Sequence, residues 1–287
     1  LLVYLGATVL IGAIVAPVLF WSAQTLADHG IFPALAAYDF ETFFHRALLI
    51  AAILLLWPLL RSLEVRKMAD LQLQPNPNWP RDLTAGFLIA TIPLLCCGAV
   101  LLALHIFGIR PTMNFAALVK ILGASIIVPL IEEMFFRGLV LGLLLRNGRM
   151  YIAIICTSAL YSILHFLKAP EHTSIAVTWY SGFASIAHAF SQFAEPLVVL
   201  GGFTTLFLIG WILADARLLT RSLWLPIGLH AGWIFANQSF SKLTHRQMIV
   251  LPWVGKNLLV GIVPLIVALV SWMIMRRWLK IYGARRF

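Results

Sequence analysis

The sequence predicts an all-α fold, a polytopic transmembrane bundle of about eight helices with an intramembrane polar cavity. Three observations predict it. Of the 287 residues, 61% are hydrophobic and only 11% are charged, whereas soluble domains carry about 25% charged residues. The apolar residues fall in runs long enough to cross a bilayer. A few ionisable residues sit inside those runs, where a charge costs about 3 kcal/mol on insertion scales and marks function by default.

The spans follow in order. Leu1–Leu26 is long enough to cross the bilayer and is expected to be a helix rather than a cleaved signal, with further residues upstream of the Leu1-Leu2 start. His45–Leu60 returns. Arg61–Arg81, with Pro75, Pro77 and Pro80, connects to the third span; its first part, Ser62–Leu73, is charged on one side and apolar on the other, the pattern of an interfacial helix. Thr84–Phe107, Phe115–Leu145 and Tyr151–Leu167 are the third to fifth spans. Lys168–Pro196 is a long connection holding Glu171, His172, His188, Gln192 and Glu195. Such length predicts either a re-entrant or surface helix near a substrate entrance or an inert outer cap. Leu197–Arg217, Leu223–Phe240 and Leu258–Trp278 complete the set. There is no internal repeat, so residues 1–287 are expected to form a single integral membrane domain.

The net charge is +10. With alternating spans, thirteen Lys and Arg fall on one side and six on the other, with Lys120 and Arg137 inside the fourth span. The bias places both termini in the cytoplasm. The basic residues read as topology determinants and lipid-headgroup contacts, so membrane lipid is an expected partner and nucleic acid is not. Cys96, Cys97 and Cys156 lie in apolar segments without disulfide or zinc spacing, and are expected to pack as small hydrophobes.

The fourth span carries the main chemical signal, Glu132-Glu133 followed by Arg137. Adjacent side chains on a helix point about 100° apart, so the two carboxylates are not expected to share a partner. Glu133 and Arg137 stand at i and i+4 in the favourable order and predict a buried pair. Glu132 is left as the working carboxylate. Pro129 and Pro226 precede Glu132 and His230 by about one turn, and backbone groups freed by proline at these places point to a wet cavity. Gly138 and Gly142 form a small-residue stripe of the kind that packs helices closely. At ~1.5 Å per residue, Glu132 lies ~20 Å from Leu145, His165 ~21 Å from Tyr151 and His230 roughly 12 Å from Ser222, so the three are able to meet within the bilayer.

One carboxylate and two imidazoles allow water activation with stabilisation of a tetrahedral oxyanion. The same set, Glu132, His165 and His230, also makes a catalytic zinc site with an open position. His-Glu-x-x-His is absent, so a metal-free glutamate mechanism is favoured, with no cofactor, and Zn2+ is the alternative.

These residues resemble a known family. Glu132-Glu133-x-x-x-Arg137 resembles the Glu-Glu-x-x-x-Arg motif of the CPBP family, which includes type II CAAX prenyl endopeptidases and bacteriocin-processing or immunity proteins. Tyr161-Ser162-Ile163-Leu164-His165 resembles its Phe-x-x-x-His motif, with tyrosine for phenylalanine. The stretch Ser222–His230 resembles the third motif, which ends in a second histidine. Together they mark a family core at about residues 117–237. The resemblance implies an eight-helix intramembrane endopeptidase of the bacterial inner membrane, acting on a membrane-associated protein or peptide. It implies that Glu132 and His165 activate water, that Glu133 and Arg137 support the site, and that His230 helps form the oxyanion hole. The family usually has an asparagine or aspartate four residues after the second histidine. Here Ile234 stands there, and Asn237, at i+7 from His230, is the candidate substitute. Two other functions remain open: a non-catalytic binding or immunity protein that keeps the fold, motivated by Ile234, and a proton-coupled transporter.

Overall fold

The structure, a computed structural model, describes residues 1–71, 73–111, 115–166, 176–191, 196–248, 250, 252–255, 258 and 261–283. In chain order its elements are α1 (Leu2–Asp28), a 3-10 turn (Pro33–Ala37), α2 (Phe40–Ser62), a second 3-10 turn (Met68–Leu71) and α3 (Trp79–Ala103). Strand β1 (Phe107–Ile109) precedes α4 (Phe115–Glu133), a π-helical turn (Met134–Val140) and α5 (Leu141–Asn147). Then come α6 (Met150–Phe166), α7 (Ser181–Ser191), α8 (Pro196–Thr220), α9 (Trp224–Leu243), β2 (Thr244–Arg246) and α10 (Ile262–Gly283). Among the described residues, five helical stretches are long and apolar enough to cross a membrane: Leu2–Asp28, Phe40–Ser62, Trp79–Ala103, Gly202–Thr220 and Ile262–Tyr282. Large apolar side chains face outward along them, such as Leu54, Ile92 and Met273, as expected where the surrounding solvent is lipid. The chain is an all-α polytopic membrane bundle.

The chain forms two compact units. The first, Leu1–Arg66 with Phe166–Glu195, is built on α1, α2 and α7. Ala13 and Ala16 of α1 and Ala47 of α2 are fully buried, so the two backbones approach closely. The Tyr4 hydroxyl donates to the Ala52 carbonyl across the pair at 2.9 Å. The described part of the long connection supplies α7. Gly182 lies against the Ala13 backbone, and the Ser185 hydroxyl donates to the buried Glu41 carboxylate at 2.9 Å. Lys168, Glu171, His172, Gln192 and Glu195 lie outside the described residues.

The second unit, Lys67–His165 with Pro196–Phe287, carries α3 to α6 and α8 to α10. Its tightest crossing is α3 on α9. Gly228 and Gly232 present their bare faces to the carbonyls of Leu83 and Phe87, and Gly86 meets the Leu225 carbonyl in return. Only glycine permits this approach. The crossing sets the rotation of α9 and therefore the direction of His230. Accordingly, Gly232→Val, whose Cβ would fall on Phe87 and Thr91, is expected to cost about 1–3 kcal/mol by overpacking. Thermal unfolding in detergent measures this; an unchanged midpoint would show that the crossing does not hold α9.

Four expectations need correction. Ser62–Leu73 is not an interfacial helix. α2 ends at Ser62, Glu64 adopts the left-handed region at φ 54°, and a single 3-10 turn follows. Its Leu71 packs on Gly142, where a Cβ would meet the Leu71 carbonyl at 2.9 Å. Pro226 frees no carbonyl, because it sits in the first turn of α9 where its nitrogen has no helical acceptor in any case. Cys96 and Cys156 are exposed rather than packed inside. The short ladder of β1 with β2, Phe107 opposite Arg246, had no signal in the sequence. The third span starts at Trp79 rather than Thr84, since Pro80 is tolerated in a first turn and Asp82 is buried against the Asn76 amide at 2.7 Å.

Candidate active site

The fourth span runs from Phe115 to Asn147, but it is not a regular helix. It changes to π geometry immediately after Glu133 and returns at Leu141. Such a turn widens the helix and commonly accompanies functional sites. Arg137, within that turn, still reaches back to Glu133, with Nη1 donating to Oε1 at 2.9 Å. Both side chains are sealed from the exterior, at 0% exposure each. Arg137 also donates to the Gly210 carbonyl of α8 at 3.2 Å, and its guanidinium lies 4.4 Å over the Tyr161 ring. Charge, hydrogen bonds and a ring face thus surround a cation that would otherwise be costly to bury.

His230 of α9 joins the same pair. Its Nδ1 donates to Glu133 Oε1 at 2.8 Å, which leaves Nε2 directed away from the clamp. That nitrogen lies 3.8 Å from Glu132 Oε2 and 3.5 Å from the Tyr161 hydroxyl. The two glutamates therefore address opposite edges of one imidazole. The 100° rule misses this, because it treats a partner as a point and an imidazole has two nitrogens.

His165 of α6 closes the group. Its Nδ1 is 2.9 Å from the Tyr161 carbonyl, an acceptor that assigns the hydrogen to Nδ1. Its Nε2 lies 3.1 Å from Glu132 Oε2. The Glu132 oxygen has no well-aligned hydrogen bond among the described residues, so the contact is close but bent. The Glu132 and His165 side chains are 25% and 28% exposed, in contrast to the sealed Glu133 and Arg137. The site thus has an accessible edge and an enclosed support.

Asn237 is the one sequence-selected site residue that stands apart. It makes no hydrogen bond to the five others, and its buried Oδ1 has no partner among the described residues. Ile234, half-buried one turn beyond His230, offers no polar atom. Among the described residues, no group of three or more His, Cys, Asp or Glu is arranged to hold a metal ion. A surface hollow of about 250 Å³ lies at the β1–β2 ladder, lined by Arg110, His245 and Arg246 among others, and includes none of the site residues. Two participants were not selected from the sequence. The Gly210 carbonyl carries no sequence signal. Tyr161 does, as the hydroxylated residue in a motif position that resembles phenylalanine.

Residues 114–236 match the family described as Type II CAAX prenyl endopeptidase Rce1-like. The matched stretch includes Glu132, Glu133, Arg137, Tyr161, His165 and His230. Comparison with curated proteins and with solved structures finds no match.

Proposed function

We propose, for a chain that belongs through residues 114–236 to the CPBP family of intramembrane proteases, that Glu132 and His165 activate the water that cleaves its substrate. The chain is an integral membrane protein and a CAAX protease-type peptidase. Its substrate is a membrane-associated protein or peptide, prenylated or not, and both termini lie on the cytoplasmic side of the bacterial inner membrane. The observation that carries the reading is the 3.1 Å contact between the partly exposed Glu132 and His165 side chains, made by a Glu132 oxygen that is itself buried, beside the sealed Glu133–Arg137 pair.

The chemistry then runs as follows. Glu132 takes a proton from water while His165 orients it, and the water oxygen attacks the scissile carbonyl carbon. The carbonyl electron pair moves to oxygen, whose negative charge is met by donors on the His230 side. Collapse restores the carbonyl, breaks the C–N bond, and passes the proton from Glu132 to the leaving amine. Glu133, itself paired with Arg137, holds His230, and neither touches a reacting atom.

Purified protein in proteoliposomes, given an S-farnesylated CAAX peptide and a pool of unprenylated transmembrane peptides, tests the reading by mass spectrometry. Cleavage by the wild type and not by Glu132→Gln is expected. Cleavage of neither probe, or equal cleavage by the variant, overturns it. The reaction is proposed to be metal-free, a reading that draws on the absence of His-Glu-x-x-His from the sequence. Treatment with a zinc chelator is therefore expected to leave the rate unchanged. Loss of activity restored by added Zn2+ would replace this mechanism with one in which Glu132, His165 and His230 hold the metal.

A second reading, a non-catalytic binding or immunity protein, draws on Ile234, which offers no donor beside His230. It predicts that Glu132→Gln keeps biological activity.

A further inference from the structure

We propose that the Tyr161 hydroxyl is a catalytic residue, the donor that meets the oxyanion together with His230. This rests on the hydrolase reading above and assigns a role to a residue outside that mechanism. Tyr161 is 2% exposed and lies at the centre of the cluster. Its ring packs against the His165 ring at 4.1 Å with a 38° tilt, meets Phe136 edge-on at 5.1 Å, and supports the Arg137 guanidinium. Its carbonyl holds His165 Nδ1 at 2.9 Å. Packing alone would be served equally well by phenylalanine. A buried phenol hydroxyl needs a polar reason, and this one faces His230 Nε2 at 3.5 Å, long for a hydrogen bond of its own.

The hydrogen-bond inventory supplies that reason. With Glu133 occupying Nδ1 at 2.8 Å, the Nε2 atom of His230 carries a hydrogen only when the ring is an imidazolium. Neutral His230 offers a lone pair there and repels an oxyanion. The residue one turn along α9, Ile234, has nothing to donate, and Asn237 makes no hydrogen bond to the group. The Tyr161 O–H is a donor in both protonation states of His230. One nitrogen, His230 Nε2, lies within 4 Å of both the Tyr161 hydroxyl and Glu132 Oε2. The oxygen of a carbonyl attacked by water held on Glu132 therefore develops its charge within reach of the phenol. The step is that of the hydrolysis itself. The carbonyl π pair moves onto oxygen as the water oxygen bonds to carbon, and the new oxyanion accepts a hydrogen bond from Tyr161, which keeps its proton.

The test compares wild type, Glu132→Ala, Tyr161→Phe and Tyr161→Phe/Ile234→Asn on whichever of the two peptide probes the wild type cleaves. Tyr161→Phe removes one oxygen and leaves the ring contacts. Its kcat is expected to fall by about 10²–10³, the cost of one oxyanion donor, with KM and the thermal midpoint unmoved. The double variant, with an amide at i+4 from His230, recovers at least part of kcat. Unchanged kcat in Tyr161→Phe, or a loss confined to KM or accompanied by a lower midpoint that the double variant does not repair, overturns the proposal. If Glu132→Ala is inactive in that experiment, the hydrolase reading stands without it. If the wild type cleaves neither probe, or Glu132→Ala remains active, both fall.

Discussion

Glu132→Ala is expected to lower cleavage by about 10²–10⁴, the scale of a lost general base, while the protein remains folded and inserted. The separation of effects follows from the site's two halves. Glu132 is partly exposed and its contacts with His165 and His230 are loose, at 3.1 and 3.8 Å. Removing it leaves the Glu133–Arg137–His230 clamp complete, so no buried charge loses its partner. His165 keeps its Tyr161 carbonyl. The measurement is a turnover assay beside thermal unfolding in the same detergent. Full activity in the variant would show that another group activates the water, and an unfolded variant would show that Glu132 is structural.

Arg137→Met is expected to behave oppositely, lowering stability by about 3–5 kcal/mol, because it strips its salt-bridge partner from a carboxylate with no access to solvent. His230 remains on Glu133 Oε1, but that oxygen now faces one donor instead of two. The Gly210 carbonyl and the Tyr161 ring lose their cation as well. Pairing the change with Glu133→Gln removes the uncompensated charge and is expected to restore most of the stability. Activity does not return with it, since a carboxylate no longer holds the imidazole. Unfolding midpoints of the three variants decide this. Equal stability of Arg137→Met and wild type would show that the pair is not what holds the site together, and recovery of activity in the double variant would show that Glu133 is not needed to set His230.

Much of this site was legible in the chain itself. The buried Glu133–Arg137 pair followed from i, i+4 spacing in an apolar run, and the association of Glu132 with His165 and His230 followed from comparable depth in three spans. The π turn was not legible, because it satisfies the same apolar pattern as a regular helix. The sharing of His230 between both glutamates was hidden too, since it depends on the roll of α9 against α3. Gly86, Gly228 and Gly232 set that roll through backbone contacts between residues far apart in sequence. Asn237 shows the limit of periodicity: i+7 predicts a shared face, yet a face is broad and its amide reaches none of the group.

By itself the sequence determined the solvent, the helical class and the identity of the ionisable residues, because burying charge in lipid is so unfavourable that composition and spacing leave few arrangements. Tertiary packing alone decided which edge of each imidazole meets which carboxylate, and which side chains are sealed or exposed. Those are questions of ångströms and hydrogen-bond direction, settled where three helices cross rather than within any one of them.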